Sequence, residues 1–220
     1  MDGTAHKAWH AAEFERIAQA LGRRGARSVQ PAGSFADGTH DVLSDLDLTV
    51  VGLDPRDEQA VLDLFDEGDV LGRERYTGAH RALHRVLLRD GRQYDIKVLR
   101  SERDAQADAP KASAPGTDEF WFALHAAHHA LARGRTVVAL DLVLASYRAV
   151  THGYWSAPDG VQSEIRTGLQ ALDLQMTPAS IERAILLAGR LAGLAFDDPG
   201  RSRAFASVVE ERSEPSQGES

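Results

Sequence analysis

A short apolar run, LDLTVV at residues 46–51, carries carboxylates at alternate positions, Asp45 just before it and Asp47 inside it. Strands disfavour aspartate, so its place in such a run calls for a reason. Alternate residues of a strand share one face. Asp45 and Asp47 therefore project together from one side, while Leu46, Leu48 and Val50 enter a core. One pleat repeat separates the two by about 6.6 Å, and oxygen ligands so spaced can jointly hold a hard cation. A small-residue turn, Gly33-Ser34, precedes the pair across a ten-residue gap. Glycine lets backbone N–H groups approach a phosphate closely, and a serine hydroxyl can donate to phosphate oxygens. Ser44, immediately before the pair, offers a second hydroxyl for phosphate or for a local turn.

The segment HRVLLRDGRQYDIKVLR, residues 84–100, predicts a hairpin. An apolar strand near 82–89 meets Asp90-Gly91, a strong tight-turn dipeptide, and returns as Gln93 to Leu99. In the return strand Tyr94, Ile96 and Val98 take one face, and Asp95 and Lys97 the other. Asp95 thus has the parity of the earlier pair. If the two strands are neighbours, three carboxylates meet on one patch, where they would repel and raise their own pKa values. Bound Mg²⁺ is the simplest neutralisation the sequence suggests.

The Gly-Ser turn, the gap to Asp-x-Asp and the later strand aspartate resemble the nucleotidyltransferase superfamily typified by DNA polymerase β. Within it, the chain is similar to small-molecule antibiotic adenylyltransferases. A second segment, residues 118–150, is similar to the first helices of the carboxy-terminal domain of aminoglycoside 6-adenylyltransferases. It shares the aromatic start Glu119-Phe120-Trp121-Phe122, then Arg133, then the Ala139 to Asp141 spacing. The resemblance implies an α+β fold, a small mixed-sheet polymerase-β-like domain followed by an α-helical domain. It also implies roles: Gly33 and Ser34 on the nucleotide, where Ser44 is a further candidate, and Asp45, Asp47 and Asp95 as the catalytic acids, Asp45 and Asp47 ligating Mg²⁺ (two ions), with ATP as co-substrate. Asp95 is either a metal ligand or the base for the acceptor hydroxyl. The implied reaction is AMP transfer to a hydroxyl of a small molecule, an aminoglycoside-like or lincosamide-like antibiotic. Protein AMPylation and a non-catalytic nucleotide-binding module are the alternatives.

Composition narrows the field. A net charge of −8 lacks the basic footprint that nucleic-acid binding requires. The chain has no cysteine, which excludes disulfide and thiolate chemistry. No apolar stretch reaches a bilayer-spanning length of roughly 18 residues. No signal-peptide pattern is visible, and the expectation is a cytoplasmic protein without membrane partners. The expected organisation is a nucleotidyltransferase domain over 1–105, a linker over 106–116, a helical domain over 117–207 and a disordered tail over 208–220. Helices are predicted near residues 56–66, from Thr117 to Gly134, from Thr136 to His152, and after the Thr177-Pro178 cap signal through Ala195. His125, His128 and His129 share one stretch of helix; packing or a solvated face explains them better than metal binding, with substrate contact as the alternative. The Phe120-Trp121-Phe122 cluster reads as helix core, with stacking on a ligand as the alternative.

Overall fold

A computed structural model describes residues 3–41, 43–106, 111–112, 117–154, 157–170 and 177–213. The fold is α+β, with one mixed sheet and eight α-helices among the described residues. The chain divides into two compact units, Met1–Leu88 with Arg92–Pro115, and Arg89–Gly91 with Gly116–Ser220. Among the described residues, no helix is long and apolar enough to cross a membrane.

The first unit holds α1 (Gly3–Arg23), β1 (Ser28–Pro31), the single turn α2 (Gly33–Ala36), β2 (Leu46–Val51) and the single turn α3 (Gln59–Leu62). It continues with β3 (Val70–Thr77), β4 (Arg81–Leu88), β5 (Gln93–Leu99) and the two-residue β6 (Lys111–Ala112). The sheet order is β1-β2-β5-β4-β3-β6. β2 and β5 pair in parallel, and every other pairing is antiparallel. The alternation in β2 behaves as its sequence implies: Leu46, Leu48 and Val50 are buried, and Asp47 and Thr49 are half-buried on the opposite face. Ile17 and Leu21 of α1 join the same core as Tyr94, Ile96 and Val98 of β5. Proline removes a ladder donor, and Pro31 is tolerated because β1 lies at the sheet edge.

Three expectations change. The helix expected over 56–66 shrinks to Gln59–Leu62. Asp54 bends the chain before it, its side chain accepting from Arg56 N at 3.0 Å, and Asp66 caps a separate 3₁₀ turn by accepting from Gly68 N at 2.8 Å. Part of the expected linker is a strand, since Lys111–Ala112 pair with Tyr76 and Thr77; residues 107–110 and 113–116 lie outside the described residues. The disordered tail does not begin at 208, because Val208 and Val209 are buried in α8.

The second unit packs α4 (Thr117–Ala132), α5 (Thr136–Tyr154), α6 (Asp159–Gln170), α7 (Pro178–Ala195) and α8 (Pro199–Ser213). Thr177 caps α7 as its sequence signals, its hydroxyl accepting from Ser180 N at 3.2 Å. α4 is the buried centre. Phe120, Trp121 and Phe122 are each at most 2 % exposed, and Trp121 packs against Phe205 of α8 with ring centroids 5.8 Å apart. That burial makes the aromatic cluster core and removes it as a ligand-stacking wall. His125, His128 and His129 are buried in the same helix, and the rings of His125 and His129 lie 4.0 Å apart.

His84 of β4 lies on the core face of the first unit, between Arg75 and Ile96. Burial, with the Arg75 charge beside it, pushes its pKa down from 6.5 to about 4. Below pH 6.5 the unfolded chain takes a proton that the folded chain refuses, so stability is lost as pH falls from 6.5 to about 4. The full difference amounts to about 3 kcal/mol. Denaturant melts at pH 7 and pH 4.5 are expected to show this loss in the wild type and not in His84→Leu; an equal loss in both would remove His84 as its cause.

Candidate active site

The register of three strand pairs builds the site. Asp47 in β2 is the direct parallel neighbour of Asp95 in β5. Asp95 faces Arg85 in β4, and Arg85 faces Glu74 in β3. A row of four charges, Glu74, Arg85, Asp95 and Asp47, therefore crosses the sheet at successive strand spacings of about 4.8 Å. All four lie on the face opposite the α1 core, because their parity is opposite to that of Leu48, Ile96 and Val86.

Asp95 is held from two sides. Arg85 Nε lies 3.3 Å from its Oδ2 and 3.4 Å from its Oδ1. The buried Gln93 donates from Nε2 to Asp95 Oδ1 at 3.0 Å and to Asp45 Oδ2 at 3.0 Å. One amide nitrogen thus ties Asp45 to Asp95, and the two carboxylate oxygens it touches are no further apart than twice that length. Arg85 also binds Glu74, with Nη1 2.7 Å from Oε2, and Tyr76 donates its hydroxyl to the same oxygen at 3.1 Å.

Asp47 has a different environment. Burial, then the adjacent Asp95 carboxylate, push its pKa up to about 6 from 3.8, while Arg85 pulls the other way. Burial is the largest of these causes, and the Arg85 charge does not offset burial and Asp95 together. Gly33 sits tightly over this carboxylate: a Cβ on Gly33 would fall 2.2 Å from Asp47 Oδ2. The backbone locks the approach, because Ala32 N donates to Asp47 O at 2.9 Å and extends the β1–β2 pairing into the turn. Gly33 has a φ of +53°, which favours glycine.

The other expected nucleotide contacts divide. Ser34 stands in α2 beside Gly33, and its carbonyl accepts from Thr39 N and His40 N at 3.0 and 3.1 Å, folding the following loop back onto the turn. Ser44 is engaged in a local turn: its Oγ accepts from Asp41 N at 2.9 Å and donates to Asp41 Oδ1 at 3.0 Å. Its carbonyl accepts from the buried His10 at 3.2 Å. Ser44 therefore shapes the loop leading into β2. Lys97 follows Asp95 on the same face, opposite Thr49 and Leu83.

Compared with models of protein families and with curated proteins, the sequence matches none. Function is accordingly read from the site. Asp45, Asp47 and Asp95 offer only carboxylate oxygens, the donor set of a hard divalent cation. The Asp47 carboxylate is disfavoured first by burial and then by the Asp95 charge beside it, and a bound cation would favour its charged form. Among the described residues, no group of three His, Cys, Asp or Glu side chains is already gathered as a metal site. Arg85 and Gln93 engage Asp95 and Asp45 instead, with positive charge and amide donors. Part of the neutralisation expected of Mg²⁺ is thus carried by the protein. Both residues escape sequence reading as site members. Gln93 had a signal, because it shares the parity of Asp95 two residues away, but Arg85 needed the β4–β5 register.

Proposed function

We propose that the protein is a Mg²⁺-dependent nucleotidyltransferase that moves AMP from ATP to a hydroxyl of a small molecule. The observation that supports this most is the lateral pairing of Asp47 with Asp95, with Gly33 packed over the Asp47 carboxylate. Asp45, Asp47 and Asp95 would hold the metal. Bound Mg²⁺ would supply charge neutralisation for the triphosphate and its leaving pyrophosphate.

The chain's own groups do the rest. The Gly33 turn lets the triphosphate lie close to the backbone, and the Ser34 hydroxyl donates to a phosphate oxygen. Asp95, held by Gln93, orients the acceptor hydroxyl and accepts its proton. The acceptor oxygen then bonds to the α-phosphorus as the bond to the pyrophosphate oxygen breaks, and the product is an AMP ester. An acidic protein suits a cationic acceptor such as an aminoglycoside, and a lincosamide offers comparable hydroxyls. The polymerase-β-like fold and the antibiotic acceptor rest on resemblance to that family.

Calorimetric titration with ATP tests the reading at its first step. Binding is expected to need Mg²⁺ and to be lost in Asp47→Ala. Binding of equal strength with and without Mg²⁺, unchanged in that variant, would overturn it.

A further inference from the structure

Arg85 is shared unequally between two carboxylates. Its contact with Glu74, 2.7 Å from Nη1 to Oε2, is short and charge-assisted. Its contacts with Asp95, 3.3 and 3.4 Å, are at or beyond the outer limit of a good N–H···O bond. Glu74 is nearly buried, its side chain 9 % exposed, and Tyr76 donates its hydroxyl to the same accepting oxygen. The guanidinium is therefore anchored on β3 and only leans on Asp95.

From this geometry we infer that Arg85 competes with a divalent cation for Asp95, and that Glu74 sets the strength of the competition by holding Arg85 back. The inference rests on the cation reading above and adds two positioning residues to it. When a cation engages Asp95, the loose Arg85 contact is the one that yields. Glu74 and Tyr76 keep the guanidinium paired as it does so, so no buried charge is left without a counter-ion. Removing Glu74 releases Arg85 to close on Asp95, which opposes the cation. Removing Arg85 leaves Asp95 to the cation. Glu74 thus acts through Arg85 and not through its own charge.

Mn²⁺ binding to the full chain, followed by the electron-spin signal of the unbound ion, tests this without any turnover. Glu74→Gln is expected to weaken Mn²⁺ binding about tenfold, the size of one charged hydrogen bond gained by Asp95. Arg85→Gln is expected to tighten it by a similar factor. In the double variant the Glu74→Gln effect should vanish, leaving the affinity of Arg85→Gln alone. If Glu74→Gln costs the same factor in both backgrounds, only its charge matters and the proposal fails. It also fails if Arg85→Gln does not tighten binding. Should Arg85→Gln not fold, Arg85→Lys replaces it, since lysine keeps the charge but lacks the fork that spans both carboxylates. Mn²⁺ binding that is absent from the wild type, or insensitive to Asp47→Ala, overturns the cation reading and this inference with it. Asp47-dependent binding without the coupling overturns this inference alone.

Discussion

Replacing Asp47 with asparagine is expected to make the protein more stable while removing its chemistry. In the folded protein the carboxyl is pushed up to about 6 by burial and by Asp95, against 3.8 when unperturbed. For an acid with a raised pKa, the folded state holds its proton more tightly than the unfolded chain. Stability therefore falls as pH rises from 3.8 through about 6, and the whole penalty is present at pH 8. The shift of about two units is an upper bound near 3 kcal/mol, and partial exposure reduces it to about 1–2 kcal/mol. Asparagine keeps the shape and discards the charge, so the sheet-containing unit should melt about 5 °C higher at pH 8. The gain should shrink at pH 4.5, where the folded Asp47 is protonated and most of its charge penalty is gone. His84 works in the opposite direction over an overlapping window, so the acid sensitivity of Asp47→Asn should be steeper than that of the wild type. A variant that melts lower at pH 8 would show that the Asp47 charge is already satisfied.

Gly33→Ala is expected to cost both stability and activity. A φ of +53° costs a residue with a Cβ about 1–2 kcal/mol. The new methyl would also sit 2.2 Å from Asp47 Oδ2 and 3.0 Å from its Cγ. The short aspartate side chain escapes only by rotating its carboxylate out of the row. Misplacing a catalytic group by about 1 Å costs about a hundredfold in rate. The clash also predicts non-additivity: in an Asp47→Ala background the methyl meets no carboxylate, and Gly33→Ala should cost only its backbone strain. Equal stability losses in the two backgrounds, measured by denaturant melts, would mean that Gly33 does not press on Asp47.

Local chemistry made much of this legible beforehand. Thr177-Pro178 marks the start of α7 because a cap and a fixed φ act within one turn. Asp90-Gly91 marks the β4–β5 turn because Gly91 alone supplies its positive φ of +79°. The parity of Asp47 and Asp95 followed from period-two alternation. Their adjacency did not, since it depends on β5 returning in parallel beside β2, a pairing between residues 48 positions apart. β3 was hidden because Arg73, Glu74 and Arg75 put charge on both faces near a sheet edge, where propensity says little. α8 was hidden by its charged sequence, although Phe205, Val208 and Val209 form its buried stripe. Arg85 was invisible for a related reason: an arginine in an apolar strand acquires meaning only when two carboxylates on separate strands are seen to flank it.

Transfer of label from ATP carrying it at the α-phosphate is the most direct measurement. The purified protein would be given Mg²⁺ and a panel of aminoglycosides, lincosamides and candidate proteins, with Asp47→Asn in parallel. The prediction is pyrophosphate release matched by label on one small-molecule acceptor, Mg²⁺-dependent and absent from the folded variant. Label and pyrophosphate that persist at wild-type rate in Asp47→Asn would contradict it, as would tight ATP binding with no transfer to any acceptor.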